Sequence, residues 1–213
     1  MTDMKDLTLY GAAYSVYVRI ARLALAEKGL PYRLVEVDVF SAEGVPDAHM
    51  RRHPFGRIPV LEHGEFGLYE TNAIVRYVDE AFAGPNLQPE DPVERARANQ
   101  IIGIMDSYAY RTLVWDIYVE RVVTAREGRA ADEAKIVAAL PRASICLTEL
   151  DRLASHREFL VGSMVTLADV YAAPMFAYFL QAPEACALLN RHEKLRGWWS
   201  RIAVRESMKS TES

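Results

Sequence analysis

Leu7-Thr8-Leu9-Tyr10-Gly11-Ala12-Ala13-Tyr14-Ser15-Val16 is the stretch that decides the fold. The alternating run Leu7–Tyr10 reads as a short strand stopped by Gly11, and a turn of small residues follows. Behind the turn, Val16, Ile20, Leu23 and Ala24 fall at helical spacing, with Gly29 placed as a C-cap. Pro31 then opens a second extended run with Val35, Val37 and Val39 on one face. Ser41 to His53 has no clear period and carries Gly44 and Pro46, which predicts a loop or a short irregular helix. Ile58-Pro59-Val60-Leu61 and Phe66-Gly67-Leu68-Tyr69 read as a hairpin across Glu62–Glu65, with His63-Gly64 at its turn. Thr71 starts another helix, in which Ile74, Val78 and Phe82 repeat every four residues.

The order βαβ, loop, ββα predicts a thioredoxin-like N-terminal domain over residues 1–82. Gly84-Pro85-Asn86-Leu87-Gln88-Pro89-Glu90-Asp91-Pro92 is a dense run of proline and polar residues, so 83–92 reads as a linker. Residues 93–213 carry no strand pattern. Val93 to about Ala125 is one long helical pattern. Leu140, Ala143, Leu147, Leu150 and Ala154 make a second stripe, and Pro141 inside it predicts a helix that starts late or bends. Ala168 to Phe179 and Leu195 to Ile202 read as two more helices. The fold class is therefore α/β plus all-α, a thioredoxin-like domain followed by an all-helical C-terminal bundle.

Composition removes several function classes. The 213 residues are 51% hydrophobic and 25% charged, with a formal net charge of -4. No basic block occurs, so nothing points to nucleic acid. No apolar span approaches the length that crosses a bilayer, and no basic-then-apolar leader precedes Leu7, which predicts a cytoplasmic protein with no membrane partner. Two widely separated cysteines, Cys146 and Cys186, make neither a disulfide framework nor a Cys-rich metal site.

The turn before Val16 carries the chemistry. In thioredoxin-like redox proteins this place holds Cys-x-x-Cys, where a helix N-terminus stabilises a thiolate. Here it reads Ser15-Val16-Tyr17-Val18, which excludes disulfide exchange from this site. A hydroxyl at an anion-favouring position suits a thiolate supplied by another molecule.

Four motifs then stand in order around the linker: the Ser15 turn; Pro54-Phe55-Gly56-Arg57-Ile58-Pro59-Val60-Leu61; Glu70-Thr71 followed by Asn72-Ala73-Ile74; and Thr166-Leu167-Ala168-Asp169. With these the chain resembles the cytosolic glutathione transferases over nearly its whole length, in a serine-type, bacterial-like branch. The resemblance implies glutathione as cosubstrate, a homodimer, and attack of the glutathione thiolate on a small, mostly apolar electrophile. A glutathione-dependent isomerase or dehalogenase on the same scaffold, or a non-catalytic ligand-binding relative, are the alternative functions.

Within that resemblance each motif has a physical reading. An Ile58–Pro59 peptide at a strand start is a candidate for the cis form, which would turn the Ile58 backbone outward to pair with an added extended peptide. The resemblance implies that this peptide is the cysteinyl part of glutathione. Thr71 reads as the N-cap of its helix, where free N–H groups make a carboxylate site. In the family this pair grips the γ-glutamyl end, the acid (Glu70) facing the ammonium and the hydroxyl (Thr71) the carboxylate. Ser15 resembles the catalytic serine that donates to the glutathione sulfur. A free thiol titrates near 8.5, and lowering it by about two units takes roughly 2.7 kcal/mol, within reach of one charge-assisted hydrogen bond and a helix terminus. Tyr10 and Tyr14 are rivals, because other branches use a tyrosine near this strand end.

The sequence departs from the family in places. Val16 stands where proline often follows the serine, and Arg57 where many relatives carry glutamine. Ala42-Glu43-Gly44-Val45 lacks the basic pair that elsewhere holds the glycine carboxylate, leaving His53, His49 or Arg57 for that task; His53 otherwise reads as a surface residue. Tyr108, Arg111, Trp115 and Tyr118, at spacings of three and four, are candidates for the electrophile pocket, though such a stripe also suits core or subunit interface. Asp106 is a candidate for the glutathione ammonium. Thr166 and Asp169 form a capping box with Val165 and Val170 as its staple, and Asp169→Ala reads as an ordinary cap loss of about 1 kcal/mol. Trp198-Trp199 reads as packing for the last helix, and Cys146 and Cys186 as inert residues in apolar surroundings.

Overall fold

Strands β1 (Leu7–Tyr10), β2 (Arg33–Val35), β3 (Val60–His63) and β4 (Phe66–Tyr69) form one sheet in the order β2-β1-β3-β4. The structure, a computed structural model, describes residues 7–212. β2 runs parallel to β1, while β3 is antiparallel to both β1 and β4. Register partners Leu9 and Leu61 share one face; the pleat puts the partners Tyr10 and Val60 on the other. Helices α1 (Val16–Glu27) and α3 (Thr71–Ala81) pack on each other, and α3 also contacts β3 and β4. On the second face Tyr10, Val37 and Val60 form a small core with Val35, Val39, Ile58 and Tyr69. The predicted one-sided valine run is therefore real, although only its beginning pairs as a strand. The loop after it contains α2 (Asp47–Arg52). The hairpin is tighter than expected: His63 still pairs with Phe66, so Gly64 and Glu65 make the turn.

The chain divides after Asn86 into two units; the second spans Leu87–Met208, and residues from Lys209 rejoin the first. The second unit begins with α4 (Pro92–Ile104), capped by the Asp91 carboxylate, which accepts from the N–H groups of Val93 and Glu94. The helix continues over Met105–Val123 with the wider i→i+5 winding and ends in α5 (Thr124–Arg126). Buried side chains there recur at steps of four and five, as in Met105, Ala109, Val114 and Tyr118. α6 (Glu133–Leu153) starts well before Pro141 and runs through it, contrary to a late start, with Pro141 on its exposed side. α7 (Leu167–Phe179), α8 (Pro183–Leu189), α9 (Glu193–Ile202) and α10 (Glu206–Ser210) follow. α8 and α10 were not foreseen, being too short to show a period; Cys186 lies exposed on α8, not in an apolar setting. α9 carries the buried Trp198 but is not the last helix. Among the described residues no helix is long and apolar enough to cross a membrane.

α7 is buried along nearly its whole length, so the N–H groups at its start cannot turn to water. The capping box is present as predicted, and Val165 and Val170 are both buried. Asp169 does more than cap. Its carboxylate accepts from Thr166 N at 2.7 Å, Thr166 Oγ1 at 2.9 Å, Leu160 N at 2.9 Å and Trp198 Nε1 at 2.8 Å. Burial pushes this carboxyl up, and the donors from Leu160, Thr166 and Trp198 oppose that push.

A second buried charge ties the first unit together. Lys28 Nζ, at the end of α1, donates to the Asp79 carbonyl at 3.0 Å and the Pro85 carbonyl at 3.1 Å, and pairs with the Asp79 carboxylate at 3.3 Å. The ammonium thereby satisfies carbonyls at the end of α3 and in the segment after it. Lys28→Met keeps the apolar stem but removes the donor to these acceptors. We expect a loss of about 2 kcal/mol, read as a lower urea midpoint with an unchanged slope.

Candidate functional site

The end of β1 brings two loops together. A Cβ at Gly11 would lie 2.4 Å from Val18 Cγ2 and 3.3 Å from Ile58 Cβ. Only a hydrogen fits there, and that close approach sets the first turn of α1 beside the loop carrying Ile58. Gly11 N–H donates to the Val35 carbonyl at 3.0 Å, fixing the same strand end to β2.

Ser15 is the N-cap of α1, in extended conformation, and its Oγ accepts from Val18 N at 3.4 Å. The first turn of α1 contains no acidic residue to offset the positive end of the helix dipole. Among the described residues nothing accepts the Ser15 hydroxyl hydrogen. This half-buried hydroxyl is thus drawn toward the helix through its oxygen and free to donate.

Both tyrosine hydroxyls are engaged elsewhere. Tyr10 OH donates to Glu62 at 2.6 Å, and Arg52, whose Nε donates to the other Glu62 oxygen at 2.8 Å, lies over the Tyr10 ring. The Glu62 hydrogen bond, then burial, raises the Tyr10 phenol. Tyr14 OH donates to Asp38 at 2.5 Å; although nearly half of the residue is exposed, desolvation of the hydroxyl end together with Asp38 pushes its phenol well up. Asp38 Oδ1 also accepts from Phe40 N at 2.9 Å, so Tyr14 and the largely exposed Phe40 form an aromatic pair next to Ser15, their rings 6.3 Å apart. Phe40 and Asp38 were missed in the sequence. Val39-Phe40 reads as the tail of an apolar run, and only the fold shows that Phe40 faces outward.

Ile58 lies before the paired part of β3, and its peptide to Pro59 is cis, as expected. Among the described residues the Ile58 N–H has no protein partner, which leaves an unpaired edge beside the Ser15 turn. Arg57 is exposed, and among the described residues no carboxylate holds its guanidinium. His53, predicted at the surface, is instead only 2% exposed. Its Nδ1 accepts from Phe55 N at 3.3 Å, its ring lies 4.5 Å from that of Tyr69, and burial pushes its imidazole down. It cannot serve as a free cation at the rim. His49, equally buried, contacts the Arg57 carbonyl at 2.7 Å.

Glu70, not Thr71, is the N-cap of α3: Ile74 N donates to the Glu70 carbonyl at 2.9 Å, and Thr71 is the first helical residue, buried. The sequence gives both residues helix-start chemistry, and only the backbone decides between them. No side chain caps α3, so its leading N–H groups stay open to an anion. Glu70 is the one non-glycine residue with positive φ among the described residues, at 70°. Such a conformation costs free energy and concentrates at binding sites; here it stands the exposed carboxylate at the head of α3.

In the second unit the supposed stripe is broken up by the wider winding. Tyr108 is exposed, Trp115 half-buried and Tyr118 buried, its ring against Tyr178. Arg111 Nε pairs with the buried Asp116 carboxylate at 3.0 Å, which Arg142 also holds at 3.2 Å. Asp106 is half-buried.

Comparison with known proteins finds matches in both parts of the chain. Residues 9–86 match the family described as "Glutathione S-transferase, N-terminal domain", and residues 109–206 match "Glutathione S-transferase, C-terminal domain". Glutathione S-transferase F10 of Arabidopsis thaliana is 27% identical over 209 residues, which are 97% of this chain and 96% of that protein. The crystal structure of glutathione transferase F7 from Populus trichocarpa is 27% identical, covers 96% of this chain and 97% of its own, and superimposes with a TM-score of 0.85. A theta class glutathione S-transferase from the citrus canker pathogen Xanthomonas axonopodis pv. citri, solved with glutathione bound, is 28% identical over 96% of both chains, with a TM-score of 0.80. With both halves matched in order and the sheet to go with them, this chain belongs to the glutathione S-transferase family.

Proposed function

We propose that the protein is a glutathione transferase in which Ser15 donates to the glutathione sulfur and holds it as a thiolate. The observation that carries this reading is the free hydroxyl hydrogen of Ser15 at an uncompensated helix N-terminus, in a place where the chain has no sulfur of its own. Tyr10 and Tyr14 are left aside because their hydrogens go to Glu62 and Asp38. Glutathione lies with its cysteinyl carbonyl on the Ile58 N–H, its γ-glutamyl carboxylate on the open start of α3 at Thr71, and its ammonium near Glu70. The first unit carries all of these glutathione contacts.

The thiolate attacks an electrophilic carbon; the new bond is carbon–sulfur, and the leaving group departs with the bonding pair. The exposed Tyr14–Phe40 pair beside Ser15 favours small, mostly apolar electrophiles. Of the electrophile contacts read from the sequence, Tyr108 is exposed and Arg111 is held by Asp116. As the family resemblance implies, the protein works as a cytoplasmic homodimer.

Glutathione titrated into the protein, followed by calorimetry and thiolate absorbance, then by addition of a generic aromatic electrophile, tests the reading. Binding with thiolate formation and turnover is the expected result; no glutathione binding would sink it. For the glycine carboxylate the free Arg57 guanidinium is the holder, and the buried His53 is not. Arg57→Ala is expected to raise the KM for glutathione about tenfold, the loss of one charge-assisted contact, with little change in kcat.

A further inference from the structure

His49 touches none of the groups placed on glutathione, yet it controls one of them. The residue is 2% exposed, and Nε2 lies 2.7 Å from the Arg57 carbonyl oxygen. A carbonyl can only accept, so Nε2 carries the hydrogen, consistent with a buried Nδ1 that meets no partner. The Arg57–Ile58 peptide is trans and planar, which makes its C=O and N–H point in opposite directions. With the carbonyl drawn inward onto the buried imidazole, the Ile58 N–H must point away from it. That is the side on which no protein group receives it.

The flanks of this peptide are held by other means: Ile58 packs against the Tyr10–Val37–Val60 core and its bond to Pro59 is cis. Gly56 N–H bonds the His53 carbonyl at 2.9 Å with Gly56 at a φ of 61°, and Phe55 N–H goes to the His53 ring. Neither contact reaches the 57–58 peptide, on which the imidazole of α2 makes the one hydrogen bond among the described residues.

We infer that His49 is a positioning residue for glutathione: by binding the Arg57 carbonyl it aims the Ile58 N–H at the cysteinyl backbone. This rests on the glutathione reading above. Its signature is in substrate binding, because Ser15 and the start of α1 are untouched by the change.

The test is steady-state kinetics on the full chain for wild type, His49→Phe and His49→Gln, with thermal unfolding of each. His49→Phe fills the space without the hydrogen bond. It is expected to raise the KM for glutathione about tenfold. The kcat, the KM for the electrophile and the thiolate absorbance at saturating glutathione stay near wild type. His49→Gln, whose amide N–H can reach the same carbonyl, restores most of the lost affinity. An unchanged KM in His49→Phe overturns the inference, as does an equal rise in both variants, which would mark a packing role. If His49→Phe does not fold, His49→Asn, with an amide too short to reach Arg57, takes its place under the same criteria. A wild type that neither binds nor conjugates glutathione would remove the glutathione reading itself, whereas an active wild type with indifferent variants removes only the role of His49.

Discussion

Ser15→Ala is expected to lower kcat/KM for conjugation at neutral pH by about a hundred- to a thousandfold, the usual cost of deleting one donor aimed at a developing anion. Glutathione still binds in this variant, because the Ile58 N–H, the start of α3 and Arg57 are unaffected. The thiolate absorbance disappears at neutral pH and returns as the pH is raised toward 8.5, where an unassisted thiol ionises. The sign follows from the thiol alone. The hydrogen bond favours the ionised sulfur and lowers its pKa, so its loss moves the rising limb of the pH–rate profile to higher pH. Activity in the variant should therefore recover part of the deficit under alkaline conditions. A thiolate that persists in Ser15→Ala at neutral pH would transfer the role to Tyr10 or Tyr14, and would require one of them to leave its carboxylate.

Asp169→Ala is expected to destabilise the second unit by about 3–5 kcal/mol, the range for removing one member of a buried, charged hydrogen-bond set. From the sequence it reads as an ordinary cap worth about 1 kcal/mol. The difference lies in the partners: two backbone N–H groups, a hydroxyl and an indole N–H all converge on this carboxylate. Alanine leaves those donors buried without an acceptor. At about 2–4 °C per kcal/mol for a chain of this size, calorimetry should show a fall of roughly 6–20 °C. A loss near 1 kcal/mol would mean that water replaces the carboxylate at the start of α7.

The element order of the first unit was legible because its strands are short, alternate cleanly and are bounded by Gly11, Pro31 and Gly64. The site could be read where chemistry depends on residue type at a local position, as at Ser15 and at Ile58-Pro59. It could not be read where a single dihedral decides. Glu70 and Thr71 are adjacent and both suit a helix start, and only the backbone at Glu70 makes it the cap. Burial of His53 and His49 was hidden for another reason. Both lie in a loop with no hydrophobic period, and the aromatic neighbours that enclose His53, Phe55 and Tyr69, come partly from β4. The stripe on the long helix misled because the spacing rule assumes α winding, whereas Met105–Val123 is wound more widely. Local periodicity reports a helix; it does not report its pitch.

The hydrogen at Gly11 has a consequence for how such a protein can change. Val18 and Ile58 both lean on that one atom's worth of space. A methyl group there would push the hydroxyl of one segment away from the backbone edge of the other while leaving every group proposed to hold glutathione chemically intact. In a mutational library, position 11 would look like a substrate-binding position though it binds nothing. New thiol chemistry on this scaffold can be reached through Ser15 or Arg57, but not by way of the residue that keeps them within reach of one ligand.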